Sequence, residues 1–276
     1  NLVFVVIEAS YGIAAGSLAL VADAGHNLSD VFSLLLAWVA ATFARREATE
    51  KRTYGFRKGT IMASLASAIL LLVALGGITW EAIERFNTPQ PVEGVTVIVV
   101  AAIGVVINTI TALLFISGQK HDLNIRGAFL HMAADAGVSL GVVVSGIMIM
   151  ATGWLLIDPV ISLLIVVIIL AGTWSLLRES WNLAIDAVPE HIDMPGIKSY
   201  LTELEHVSGI HDLHVWPLST TEVALSVHLI INSNYPTNDF LSGIQEKLHE
   251  HFGIEHSTIQ IEQHDGAPCI LDKNEC

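Results

Sequence analysis

Residues 23–30 read DAGHNLSD, within chain that is otherwise apolar enough for lipid. Asp23, His26, Asn27 and Asp30 stand at i, i+3, i+4 and i+7, so on a helix all four share one stripe. The segment GAFLHMAADAG repeats the theme: His131 and Asp135 are again i, i+4, and Asn124 lies one heptad earlier. An Asp at membrane depth costs ~2.5–3.5 kcal/mol on insertion scales. A local hydrogen bond, or glue between helices, accounts for one His–Asp pair. The same H-x-x-x-D pattern in two separate apolar segments asks for more. Two carboxylates carry −2 and two neutral imidazoles add nothing. A divalent cation therefore neutralises the set His26, Asp30, His131 and Asp135, which suits a low-dielectric interior.

The donor types narrow the ion. Two nitrogens and two oxygens match tetrahedral Zn²⁺. Calcium and magnesium prefer oxygen shells, and no thiol is available among the apolar segments to favour copper(I). Zinc is the expected ion, with cadmium, cobalt, iron and nickel still open. Both ligand types must lose protons before they coordinate, so H⁺ competes with the metal for the same atoms. A site that opens to each side in turn then exchanges metal for protons. Asp23 is either an acceptor that orients His26 or a residue at the outer mouth. Asn108, mid-segment in VVINTITALL, either lines a cavity or holds helices together.

These residues need spanning helices to position them, at ~20 apolar residues per span. The chain has 276 residues and is 53% hydrophobic, too apolar for an ordinary soluble protein of this length. Six spans are expected, at about 1–16, 18–44, 60–86, 93–117, 124–152 and 157–184, the first truncated because the sequence opens inside an apolar run without Met. Arg45, Arg46, Lys51, Arg52, Arg57 and Lys58 follow span 2, and Lys120 and Arg126 follow span 4. The positive-inside rule places those loops, and with an even number of spans both termini, in the cytoplasm. The expectation is a multi-pass integral membrane protein of the cell inner or plasma membrane.

Beyond residue 186 the composition changes: nine of the 12 histidines lie there, but only Lys198, Lys247 and Lys273 of the 13 basic residues. The domains expected are 1–187 in the membrane and 188–276 as a small acidic cytoplasmic domain. A net charge of −14 excludes a nucleic-acid footprint. Cys269 and Cys276 sit in the last eight residues, where no disulfide framework is implied and a reducing tail fits. In the tail, MPGIKSYLTELEHV and DFLSGIQEKLHEHF have helical periodicity, while HDLHVWPL, EVALSVHLII and HSTIQIEQH alternate as strands. The order αββαβ predicts a ferredoxin-like α+β domain. So small a domain gains from dimerisation. His249 and His251 read as a solvated helix face, and His191 as leading into a helix. His214 has the opposite strand parity to His211 and is left out.

The chain resembles the cation diffusion facilitator family through LVADAGHNLSD, RTYGFRKG, DLNIRGAFLHMAAD, DAVPEHID and HDLHVW, in order and over nearly its whole length. The resemblance implies six helices, a metallochaperone-like cytoplasmic domain, a homodimer in the lipid bilayer and proton-coupled zinc export. It assigns transport ligands to His26, Asp30, His131 and Asp135, a set similar to the zinc-preferring branch. It also implies cytoplasmic metal sites at His211, His228 and a last-strand group, for which Glu262, His264, Asp265 and His256 compete. Some members carry another metal site in the loop after span 2, but RREATEKRTYGFRKG has no Asp or His, so none is expected. Lys58 and Asp186 match a charge interlock at the dimer base of some relatives, or are two unrelated interfacial charges. Two other classes compete with a transporter. A membrane metallohydrolase would need an open metal position beside a base, and the chain lacks H-E-x-x-H. A membrane metal sensor would need fewer spans than six.

Overall fold

The computed structural model describes residues 2–115, 123–232 and 238–263. Lys120, His264, Asp265, Cys269, Lys273 and Cys276 lie outside the described residues, as do the side chains of residues 123–128, including Asn124 and Arg126. Six helices come first: α1 (Leu2–Ala14), α2 (Leu18–Ala44), α3 (Gly59–Asn87), α4 (Gly94–Phe115), α5 (Leu123–Thr152) and α6 (Ile157–Ala184). Among the described residues, five are long and apolar enough to cross a membrane. The 13-residue α1 is shorter than the ~20 residues a crossing needs. Leu34 is 72% exposed and Trp80 74% exposed, an outer surface that water would penalise and lipid accepts.

Packing divides the chain into two compact units, Asn1–Leu36 with Ala66–Leu177, and Ala37–Leu65 with Arg178–Cys276. The core of the first gathers Ala19, Leu20, Leu75, Val97, Ala101, Val142 and Ile165. Small residues let its helices approach closely, the usual device where lipid supplies no hydrophobic drive. A Cβ on Gly146 would stand 2.8 Å from the Ile98 side chain, so α4 and α5 meet where no larger residue fits.

The start of α2 is held from a distance. Asp158, in the first turn of α6 and fully buried, accepts from Ser17 Oγ at 2.6 Å and Leu18 N at 2.7 Å. Leu18 N is a first-turn backbone donor, which a helix cannot satisfy internally, and Ser17 precedes the helix. Arg85, in the last turn of α3, lies 3.5 Å from the same carboxylate and donates to the Gly16 carbonyl. The register of α2, and with it of His26 and Asp30, is thereby tied to α3 and α6.

The second unit carries α7 (Met194–Thr202), β1 (Val207–Pro217), β2 (Val223–Ile231), α8 (Asn238–Phe252) and β3 (His256–Gln263). This is the αββαβ order expected. Asp193 caps α7 by accepting from Gly196 N at 3.0 Å. The sheet order is β1-β2-β3, antiparallel then parallel, with α8 as the crossover that a parallel pair needs. Ile197, Leu201, Ile244 and Leu248 bring both helices onto β2 residues Leu225, Val227 and Leu229.

Candidate metal centres

The first centre lies wholly within the first compact unit. One helical turn separates His26 from Asp30 on α2, and another separates His131 from Asp135 on α5. The two pairs face each other. His26 Nε2 stands 3.5 Å from Asp135 Oδ1 and 3.7 Å from Asp30 Oδ2. His131 Nε2 stands 3.1 Å from Asp30 Oδ2 and 3.7 Å from Asp135 Oδ2. The rings meet edge-on, with centroids 5.9 Å apart. Ligand atoms of His26, His131 and Asp135 all lie within 4.8 Å of one another, while Asp30 touches both histidines from the side. Asp135 is buried and His131 exposed, so the cluster runs from the interior to an opening. A cavity of about 120 Å³ adjoins it, lined by Asn27, Asp30, Asn108, His131 and Asp135.

Asn108 therefore borders the cavity. Asp23 is fully buried and accepts from Ser139 Oγ at 2.6 Å and, more weakly, from Asn27 at 3.5 Å. Among the described residues it makes no hydrogen bond or ion pair with His26, whose buried Nδ1 also has no hydrogen-bond partner. Sequence reasoning passed over Glu8. This α1 residue is fully buried and accepts from Asn27 at 3.3 Å. Its signal was the one used for Asp23, an ionisable group in an apolar run.

The second centre is built on strands. His211 on β1 and His228 on β2 are direct cross-strand partners, with ring centroids 4.8 Å apart. Glu262 on β3 reaches both, at 3.0 Å from His211 Nε2 and 2.9 Å from His228 Nδ1. These three offer ligand atoms within 4.8 Å of one another. His228 is 7% exposed. Asp212, another residue not singled out from the sequence, lies 3.6 Å from His228 Nε2 and 2.9 Å from His214 Nε2. Its φ of 51° coincides with the register shift between His211 and His214, where strand alternation fails. His256, paired with Ala224 in the ladder, lies six residues along β3 from Glu262 and meets the Tyr54 ring instead. His249, His251 and His191 are exposed. Elsewhere in the second unit, Lys58 Nζ and Asp186 Oδ1 are 2.5 Å apart.

The cation efflux transmembrane domain matches residues 1–183. The chain belongs to the cation efflux family. The family's cytoplasmic domain matches residues 189–264. With its apolar helices, this makes the chain a multi-pass membrane protein. The zinc transporter ZitB of Escherichia coli (strain K12) is 37% identical, over 98% of this chain and 87% of that protein. A cadmium, cobalt and zinc/H(+)-K(+) antiporter of Bacillus subtilis (strain 168) is 35% identical, over 99% of this chain and 90% of that one. Both of these bacterial relatives are transporters by name. A solved metal-bound C-terminal domain of the CzcD transporter from Cuprividus metallidurans is 28% identical, over 26% of this chain and 99% of that domain, with a TM-score of 0.24.

Proposed function

We propose that the chain is a proton-coupled antiporter that exports Zn²⁺ from the cytoplasm through His26, Asp30, His131 and Asp135. The observation that carries this reading is the meeting of two H-x-x-x-D pairs from α2 and α5 within the membrane-spanning bundle. Zn²⁺ bound there cancels two carboxylate charges. When it leaves, protons restore the balance, because charge uncompensated in a low-dielectric interior is costly. The names of the relatives support zinc as cargo, with cadmium and cobalt as further substrates, and proton exchange. The protein is then a carrier and not an enzyme. It works as a homodimer in the inner membrane with both termini in the cytoplasm, residues 1–187 forming the membrane domain and 188–276 the cytoplasmic domain.

A second, regulatory ion is held in that domain by His211, His228 and Glu262, with His264 and Asp265 as further candidate ligands. The donor set fits: two imidazoles and a carboxylate converge on one another, and Asp212 stands beside His228. A metallohydrolase and a metal sensor are the competing classes. Zinc flux into vesicles under an imposed pH gradient separates the three. Asp30→Ala and Asp135→Ala should each abolish flux in protein that still elutes as a folded species. Flux that persists in either variant overturns the ligand assignment.

A further inference from the structure

The loop after α2 is rich in arginine and has no metal ligand of the Asp/His type. In the second unit it forms a cavity of about 670 Å³ with the turn between β1 and β2. Arg45, Arg46 and Arg57 line it from the loop, and Thr60, Thr220 and Thr221 bring hydroxyls. That volume lies in the usual range for small-ligand sites. The walls are tied together: Arg57 Nη1 reaches Glu222 Oε1 at 3.4 Å, and Thr220 N donates to Thr60 Oγ1 at 3.1 Å.

We propose that this cavity binds a phosphate group carrying about one negative charge, the chemistry of an anionic phospholipid headgroup or of free phosphate. The lining carries three guanidiniums and two carboxylates, Glu47 and Glu222, a net charge of +1 with His256 neutral. The α2 C-terminus and the α3 N-terminus both contribute to the walls, and their opposite partial charges of about half an electron offset each other. Arg57 is held by Glu222. Arg45 and Arg46 have no carboxylate partner among the described residues, and Arg46 lies over the Phe43 ring. Guanidinium forks and hydroxyls are the donor types that phosphate oxygens take. A phosphate here would contact the chain leaving a membrane helix and the strand turn together, and so link the charge of the lipid to the sheet that carries His211 and His228.

The test uses the full chain in a zwitterionic detergent, with bound lipid read by native mass spectrometry. Phosphatidylglycerol should be retained at least about tenfold over phosphatidylcholine, given the attraction of each nearby Arg to anionic headgroups. Arg45→Gln with Arg46→Gln should erase the preference, while Arg45→Lys with Arg46→Lys should keep part of it. Lys51→Gln with Arg52→Gln removes equal charge from the same loop outside the cavity lining and should leave it intact. A thermal shift with millimolar inorganic phosphate, lost in the Gln pair at positions 45 and 46 and without any lipid preference, would support free phosphate as the source. Neither response in the unaltered chain overturns the proposal. So does equal loss in the two Gln double variants, which is the mark of a loose basic surface.

Discussion

The two clusters use the same side chains on different scaffolds. In the membrane cluster, each His–Asp pair is local to one helix and the two helices supply matching halves. In the cytoplasmic cluster, each side chain comes from a different strand, and the three meet only because β2 pairs with both β1 and β3. The helical arrangement can come apart as two intact halves if α2 and α5 move against each other, which suits a site that must release its ion. The strand arrangement is locked by ladder hydrogen bonds on both sides of β2, which suits an ion that stays. The surroundings differ as well: the first cluster runs from buried Asp135 to exposed His131 among apolar helices, and the second keeps His228 buried on a small sheet.

Substitutions can break this contrast, beginning with the largest effect. Asp135→Ala should lower zinc flux by more than about a hundredfold, since a buried ligand is lost and its partner charge left uncompensated. His228→Ala should leave measurable flux in the same vesicle assay. Equal loss in both variants would erase the distinction between cargo site and resident site. Next comes the support of α2. Asp158→Ala leaves the donors at the start of α2 without their acceptor and Arg85 without its buried partner. Folded-state stability should fall by on the order of 3 kcal/mol, read as a drop in the detergent-solubilised melting temperature, and zinc affinity should weaken with it.

Smaller effects sharpen the comparison. Asp212→Ala should weaken zinc binding to the cytoplasmic cluster by roughly tenfold, the scale typical of groups that orient ligands. Calorimetry in an Asp30→Ala background isolates that site. Proton competition sets the sign of the pH effect: zinc affinity rises with pH, by about one log unit per pH unit for each proton displaced. A membrane cluster whose affinity is flat from weakly acid to neutral pH would not be a proton-exchanging site. Smallest of all, Lys58→Ala should change protomer stability by only ~0–1 kcal/mol, because both partners of that pair are exposed. A large shift in oligomer dissociation with little change in melting would mark the pair as an interlock between subunits.

Residue order alone singled out the side chains that the structure brings together between α2 and α5. His26, Asp30, His131 and Asp135 stand at helical spacing in apolar segments, where a carboxylate without a counter-charge is costly. Local periodicity and that cost were enough to choose them. The αββαβ order followed from local signals of the same kind, read over elements of 8 to 15 residues. Contacts between distant segments had no such signal. Ser17 and Asp158 are 141 positions apart. Glu8 reaches Asn27 across two helices. Asp212 joins His228 because a bulge turns it out of the strand's alternation, which a parity argument cannot foresee. Side-chain type and local spacing are encoded along the chain, whereas the pairing of remote groups is decided by packing, where a shift of one residue in register redirects every side chain that follows.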